Sequence, residues 1–94
     1  MFEIRAGDHG SLKLTGRLDA AEADRVSEEL RSIRDSVRLD CSELDYISSA
    51  GIGILIELYK RLQTSGHTLT LVNLLPRVRN IFRYAGLDRL LNIE

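Results

Sequence analysis

The spacing of the apolar residues changes repeatedly along this chain and predicts the order of its secondary-structure elements. Alternation at every second residue is typical of half-buried strands and occurs in residues 2–5, 11–15 and 67–72. Spacing at threes and fours is typical of helices with one buried face and occurs in residues 20–33, 52–64 and 76–85. A further short strand is predicted at 37–41, and the apolar tail 87–93 leaves room for a last one.

Elements that alternate in this order predict an α/β fold, with helices covering a mixed sheet. We expect four to five strands and three to four helices. The first two strands form a predicted hairpin at the edge of the sheet, because a short turn containing Gly7 and Gly10 separates them. A chain of 94 residues with 44% hydrophobic content suits one domain over residues 1–94 and excludes a multidomain enzyme.

Charge and residue usage exclude further classes of function. Thirteen basic and 14 acidic residues give a net charge of −1, so no basic field attracts a nucleic acid. The single Cys41 and two distant histidines predict neither a disulfide nor a metal site. The longest apolar stretch, residues 52–58, contains Gly53 and Glu57, and no signal peptide precedes it, so we expect no membrane insertion.

These features together predict a cytoplasmic protein without a metal or another cofactor. We expect a monomer, although the edge of the N-terminal hairpin could pair between copies.

Capping signals predict where the helices begin and end. Asp19, followed three residues later by Glu22, predicts the start of the first helix through a capping box. Pro76 and Gly86 predict the two ends of the third helix. Its predicted buried residues are Val78, Ile81, Phe82 and Ala85. The acidic residues Asp40, Glu43 and Asp45 lie in the predicted strand and in the connection after it, where capping and solvation explain them better than acid–base catalysis.

Two serines precede the second helix, and they allow two interpretations. Neither histidine lies where it could activate Ser48 or Ser49 as a nucleophile. A serine in this place is commonly an N-cap, which contributes about 1 kcal/mol. It can also be a phosphorylation site, because a helix N-terminus tolerates the roughly two negative charges of a phosphoryl group.

The residues after the serines also have two interpretations each. Gly51 and Gly53 open the helix without the lysine of a phosphate-binding loop, so close packing or close approach of a partner explains them better than nucleotide binding. The apolar arc of the helix is wider than one buried face requires. Its additional residues, Ile52, Ile56 and Tyr59, are therefore equally well explained as core or as interface.

Two segments resemble a known family. They are Gly16-Arg17-Leu18-Asp19 and the run LDCSELDYISSAGIGIL from Leu39 to Leu55. Both are similar to the STAS domain, and in particular to single-domain bacterial anti-sigma factor antagonists. The resemblance covers nearly the whole chain and implies a STAS-like fold. It also implies a partner switch, in which the unphosphorylated protein binds an anti-sigma factor that is itself a serine kinase of the histidine-kinase-like ATPase fold. Phosphorylation then releases the complex, and a PP2C-type phosphatase resets it.

The resemblance assigns residues to these roles. The phosphoacceptor matches Ser49. Ser48 stands where many members have an aspartate, so Ser48 remains a competing acceptor. Asp19 and Asp40 match acidic positions that flank the phosphorylation site. The expected partner-binding surface comprises Asp19, Asp40, Ser48, Ala50, Gly51, Ile52, Gly53, Ile56 and Tyr59.

A second function of a different class stays open. Members of this fold also act as scaffold subunits of transporters or regulatory assemblies without a phosphorylation cycle, and there Ser49 would be only a helix cap. In neither case do we expect the chain to be an enzyme, because a kinase would supply the active site and this protein only the hydroxyl.

Overall fold

The computed structural model describes all residues from Met1 to Glu94 and contains five strands and three α-helices. The elements are β1 Phe2–Ala6, β2 Leu12–Leu18, α1 Ala23–Leu30, β3 Val37–Ile47, α2 Ser49–Thr64, β4 Leu69–Val72, α3 Pro76–Tyr84 and β5 Asn92–Ile93. A short 3₁₀ turn, Asp8–Gly10, joins the first two strands. The α/β fold, the N-terminal hairpin and the short last strand are confirmed.

The five strands form one mixed sheet whose spatial order equals the chain order. β1 pairs with β2 antiparallel, and every later pairing is parallel, as strands connected through helices require. One core of 18 buried side chains joins the three helices to the sheet. In this strand order, β1 and the two-residue β5 lie at the two edges of the sheet, and β3 lies in the middle.

Two strands extend further than the apolar alternation predicts. β2 continues through Gly16 and Arg17 to Leu18, and β3 continues from the predicted 37–41 to Ile47, so residues 44–47 are strand and not connection. The register between the two strands shifts twice along their length. Such irregularities break the period-two pattern without ending the hydrogen-bonded ladder.

Other boundaries also differ from the prediction. α1 begins at Ala23 and ends at Leu30, inside the predicted 20–33. β4 is shorter than predicted, and all four of its residues are buried, because it lies inside a parallel sheet. α3 has the predicted buried residues Val78 and Phe82, whereas Ala85 is exposed.

Candidate functional site

The candidate site lies where the carboxyl ends of β2 and β3 meet. Leu18 and Ile47 are register partners at the ends of these parallel strands. The backbone N–H of Ser48 donates to the Leu18 carbonyl over 2.9 Å, which continues the ladder by one residue before α2 begins. Asp19 follows Leu18 directly, so the predicted site residues Asp19, Ser48 and Ser49 lie together at the carboxyl ends of these two strands.

The two serines have different roles at the start of α2. Ser48 is the N-cap: its backbone is extended, and its hydroxyl oxygen accepts a hydrogen bond from the Gly51 N–H over 3.2 Å. Ser49 is the first residue of the helix, and it is exposed. The interpretation of Ser49 as the cap is therefore wrong, because the half-buried Ser48 already satisfies one of the free N–H groups of the first turn.

Gly51 fixes the distance between α2 and the sheet. A Cβ atom at this position would lie 2.8 Å from side-chain carbons of Ile47 and Leu18 and 2.9 Å from the Leu18 carbonyl oxygen. These distances are too short for any residue larger than glycine unless the helix moves, so the predicted close packing is confirmed for Gly51. A Cβ atom at the exposed Gly53 would have no neighbour within 4 Å, so packing inside this chain does not require a glycine there.

The additional apolar residues of α2 divide into two groups. Ile52 and Tyr59 are half-buried and pack against the core, so they are partly core and partly surface. Ile56 is half-buried and is not among the side chains packed against the core. Ala50 is half-buried in the first turn, between the exposed Ser49 and the buried Gly51. The structure therefore leaves a shallow apolar surface beside Ser49.

Asp40 lies away from the serine turn, which corrects the expectation that it flanks Ser49. Between Asp40 and Ile47 the neighbouring strand β2 advances by only five residues, from Lys13 to Leu18, which corresponds to about 16 Å along the sheet. The Asp40 carboxylate accepts hydrogen bonds from the Ser42 N–H over 3.0 Å and the Asn73 side-chain amide over 3.3 Å. Partial desolvation opposes ionisation of Asp40, but these hydrogen bonds and the positive charge of Lys13 lower its pKa.

Asp19 is near the serines but does not cap α1. Its carboxylate accepts a hydrogen bond from the Ala21 N–H over 3.2 Å, within the turn that precedes the helix. The N-cap position belongs to Glu22, which makes no side-chain cap and instead pairs with Arg25. The predicted capping box is therefore wrong.

Two arginines beside the site were not predicted from the sequence. The Arg17 guanidinium lies 4.4 Å from the centre of the Tyr46 ring, on the neighbouring strand. At the start of α3, the Arg77 Nε donates to the Asp45 carbonyl over 3.0 Å. Neither contact could be found from sequence spacing, because each depends on the irregular register of β3 or on the position of α3.

The site is a surface and not a pocket. The structure has three clefts, and Ser48, Ser49 and Gly51 line none of them. No cluster of side chains suited to a metal ion is present. None of the three helices combines the length and the apolar character that a membrane span requires. Burial raises the pKa of the Cys41 thiol to about 12, so this buried cysteine is not a reactive nucleophile.

Comparison with known proteins agrees with this geometry. Residues 1–92 match the family described as "Mlab, STAS domain". The chain belongs to this STAS family. Among curated proteins, the anti-sigma-B factor antagonist of Listeria monocytogenes is 29% identical over 94 residues, covering 96% of this chain and 82% of the relative. The protein of the same name in Bacillus subtilis is 25% identical over 86 residues, covering 88% and 79%.

Solved structures show that the STAS fold of this chain is that of anti-sigma factor antagonists. The unphosphorylated form of the antagonist SpoIIAA superposes with a TM-score of 0.77 at 17% identity, covering all of this chain and 88% of that one. The phosphorylated form of the Bacillus SpoIIAA superposes with a TM-score of 0.69 at 16% identity, covering all of this chain and 91% of that one. The predicted family and the predicted fold are therefore confirmed.

Proposed function

We propose that this STAS protein is an anti-sigma factor antagonist whose binding to an anti-sigma factor is switched off by phosphorylation of Ser49. The observation that carries the proposal is that the two serines have different structural roles. Ser48 caps α2, so the exposed hydroxyl of Ser49 is free for modification without loss of the cap. The names of the similar proteins support the same function.

Phosphorylation at Ser49 is compatible with a folded domain. The first residue of the 16-residue helix α2 lies at its positive end, where free N–H groups and the helix dipole favour an anion. A phosphoryl group adds about −1.5 to −2 charges there. The modified protein therefore keeps its fold, and the effect of the charge falls on whatever binds to this surface.

The partner-binding surface consists of the first turn of α2 and the residues beside it. Its proposed members are Asp19, Ser48, Ala50, Ile52, Gly53, Ile56 and Tyr59. Gly51 was expected among them, but it is buried against the sheet and supports the turn without facing a partner. The exposed Gly53 allows the partner's backbone to approach closely, and the half-exposed side chains of Ile52 and Ile56 supply apolar contact. Asp40 is too distant from Ser49 to belong to the same contact patch, and a role for it in partner binding stays a separate prediction.

A charge added at Ser49, at the end of such a patch where α2 begins, weakens binding strongly. The phosphate must lose water on association and meets any acidic group that the partner presents. A loss of about 3 kcal/mol corresponds to a change of more than a hundredfold in affinity. In this scheme the anti-sigma factor is a serine kinase of the histidine-kinase-like ATPase fold, and a PP2C-type phosphatase removes the phosphate. The active sites belong to those partners, and this chain supplies only the hydroxyl.

Four immobilised proteins test the proposal: wild type, Ser49→Ala, Ser49→Asp and Ser48→Ala. Each is used to capture proteins from lysate of the source organism, and the captured proteins are identified by mass spectrometry. We expect an ATPase of the histidine-kinase-like fold with wild type and Ser49→Ala, weaker capture of the same ATPase with Ser48→Ala because Ser48 belongs to the same surface, and at least a tenfold loss with Ser49→Asp. Incubation of the captured complex with ATP is expected to phosphorylate wild type and Ser48→Ala, but not Ser49→Ala.

Two results would contradict this function. Phosphate mapped to Ser48 alone would assign the wrong acceptor. Capture of the same transporter or assembly subunits by all four proteins would instead support the scaffold function, in which the surface of α2 binds without a switch.

A further inference from the structure

The outer side of β1 presents backbone groups that pair with no other strand. Two hydrogen bonds show which residues of the hairpin direct their backbone groups toward the partner strand. The Arg17 N–H donates to the Met1 carbonyl over 3.3 Å, and the Gly7 N–H donates to the Ser11 carbonyl over 2.8 Å. In an antiparallel pair, alternate residues therefore direct their N–H and C=O groups toward β2. The residues between them, Phe2, Ile4 and Ala6, direct these groups away from the sheet. An edge of this kind is a template for another strand.

The sequence of β1 is complementary to itself about Ile4. Antiparallel pairing of two copies centred on Ile4 places Glu3 opposite the second copy's Arg5 and Arg5 opposite the second copy's Glu3. Pairing centred one residue earlier sets two Glu3 side chains against each other, and pairing centred one residue later does the same with Arg5. Glu3 and Arg5 form an ion pair within each strand at 2.7 Å. Opposite charges across a ladder stabilise it and like charges destabilise it, so of these three registers only the one about Ile4 adds opposite-charge pairs between the copies.

An apolar cleft adjoins this edge. A cleft of about 260 Å³ lies between the hairpin and the end of α1, and it is lined by the four apolar side chains of Ile4, Leu12, Leu30 and Ile33 together with Glu29 and Ser32. The side chains of Ile4 and Ile33 are only half-buried. Because Ile4 is both at the centre of the self-complementary register and in the cleft, two copies paired about Ile4 bring their clefts together. Pairing thus adds apolar burial to the hydrogen bonds of the ladder.

We propose that two copies of this chain associate through antiparallel pairing of their β1 strands about Ile4, which continues the sheet across a two-fold axis. This association departs from the expectation of a monomer and is independent of Ser49, which lies at the start of α2. One strand contact is smaller than the interface of a permanent dimer, so the association is expected to depend on concentration.

One existing contact at the edge is compatible with this pairing. The Arg25 Nη2 donates to the Phe2 carbonyl over 2.8 Å, and Glu22 and Glu29 hold the guanidinium in place. A carbonyl oxygen has two lone pairs, so the Phe2 oxygen can also accept from the Ala6 N–H of the second copy.

Sedimentation velocity over about a hundredfold range of protein concentration tests the proposal. We expect the sedimentation coefficient of the wild type to rise with concentration. Glu3→Arg and Arg5→Glu should each abolish the rise, because each creates two like-charged pairs across the axis. The double variant Glu3→Arg with Arg5→Glu should restore it, because both pairs again have opposite charges.

Lys60→Glu is the matched control for Arg5→Glu, since it makes the same change of charge at an exposed residue of α2, away from β1. It should leave the concentration dependence unchanged. Amide hydrogen exchange gives a second measurement, in which protection of the Ile4 N–H should increase with concentration. A wild type with a constant sedimentation coefficient would overturn the proposal. So would a rise that survives Glu3→Arg and Arg5→Glu, since the dimer would then use another surface.

Discussion

Two turns at the carboxyl ends of neighbouring strands lead into a helix, and they are built differently. Between β3 and α2 a single residue, Ser48, makes the connection and caps the helix. Between β2 and α1 there are four residues, Asp19 to Glu22, and the side chain at the N-cap position caps nothing. The first turn of α2 packs on the sheet through the buried Gly51, whereas Asp24 in the first turn of α1 is exposed.

This difference shows that packing, more than the capping residue, fixes the start of these helices. Both turns carry a good N-cap residue in the sequence, Asp19 and Ser48. Only in the turn after β3 does a glycine, Gly51, pack against the strands, and there the helix begins after a single connecting residue. The tight turn therefore presents Ser49 in a fixed position with its hydroxyl exposed, as a modification site requires, while the looser turn is better suited to adapt to a partner.

Gly51→Ala tests the packing of α2 and should have the largest effect. Its methyl group would meet the Leu18 carbonyl and two side chains at 2.8 to 2.9 Å, so the helix must shift. We expect a loss of about 1–3 kcal/mol in the free energy of unfolding, as for other overpacked cores. Urea denaturation measures it.

Gly53→Ala is the control for this prediction, because a Cβ there meets nothing and alanine favours the helix. It should stabilise the protein by about 0.5–1 kcal/mol. Equal effects of the two substitutions would show that helix propensity, and not packing, decides where α2 begins.

Ser48→Ala should have the next largest effect, a loss of about 1 kcal/mol, because the Gly51 N–H loses its acceptor. Ser49→Ala should change the free energy of unfolding by less than about 0.5 kcal/mol, since the side chain is exposed and does not cap. Thermal or urea unfolding of the two variants under the same conditions measures the difference. A reversed order would mean that Ser49 is the cap, and the proposed phosphorylation would then disturb the fold.

Most of the fold could be predicted from the sequence, because apolar spacing reports which residues face the core. The order of elements, the hairpin and the last strand follow from this spacing. The ends of β2 and β3 could not be predicted, because two register shifts break the alternation while backbone pairing continues.

At the site, the turn and its serines could be found from the sequence, but the choice between them could not. Ser48 and Ser49 are equally good caps in isolation, and the tertiary contact of Gly51 with Leu18 decides which one lies before the helix. The position of Asp40 could not be predicted for the same kind of reason: its distance from Ser49 depends on how far β3 continues as an extended strand.

Asp19→Ala should have a smaller effect than the serine cap. It removes one hydrogen bond, to the Ala21 N–H, in an exposed turn that does not start the helix directly. We expect a loss of about 0.5 kcal/mol or less in the free energy of unfolding, measured by urea denaturation. A loss as large as that of Ser48→Ala would show that the two turns depend equally on their side chains, and packing would then not be what distinguishes them.

Asp40 makes the same kind of turn contact as Asp19, to the N–H two residues on, but in the middle of a strand and with further partners. Its pKa is lowered by these hydrogen bonds and by Lys13 against the cost of partial desolvation. A carboxyl group whose pKa is lowered by folding contributes its full stabilisation at pH values above the unfolded pKa of 3.8. This contribution is lost as the pH falls through the pKa of the folded state. Asp40→Asn should therefore be slightly less stable than wild type near neutral pH, and the difference should shrink as the pH falls through the lowered pKa of the folded state. Urea denaturation at several pH values measures this convergence. A difference that stays constant as the pH is lowered well below 3.8 would mean that the hydrogen bonds of Asp40 do not depend on its charge, so that both aspartates act only as neutral turn acceptors.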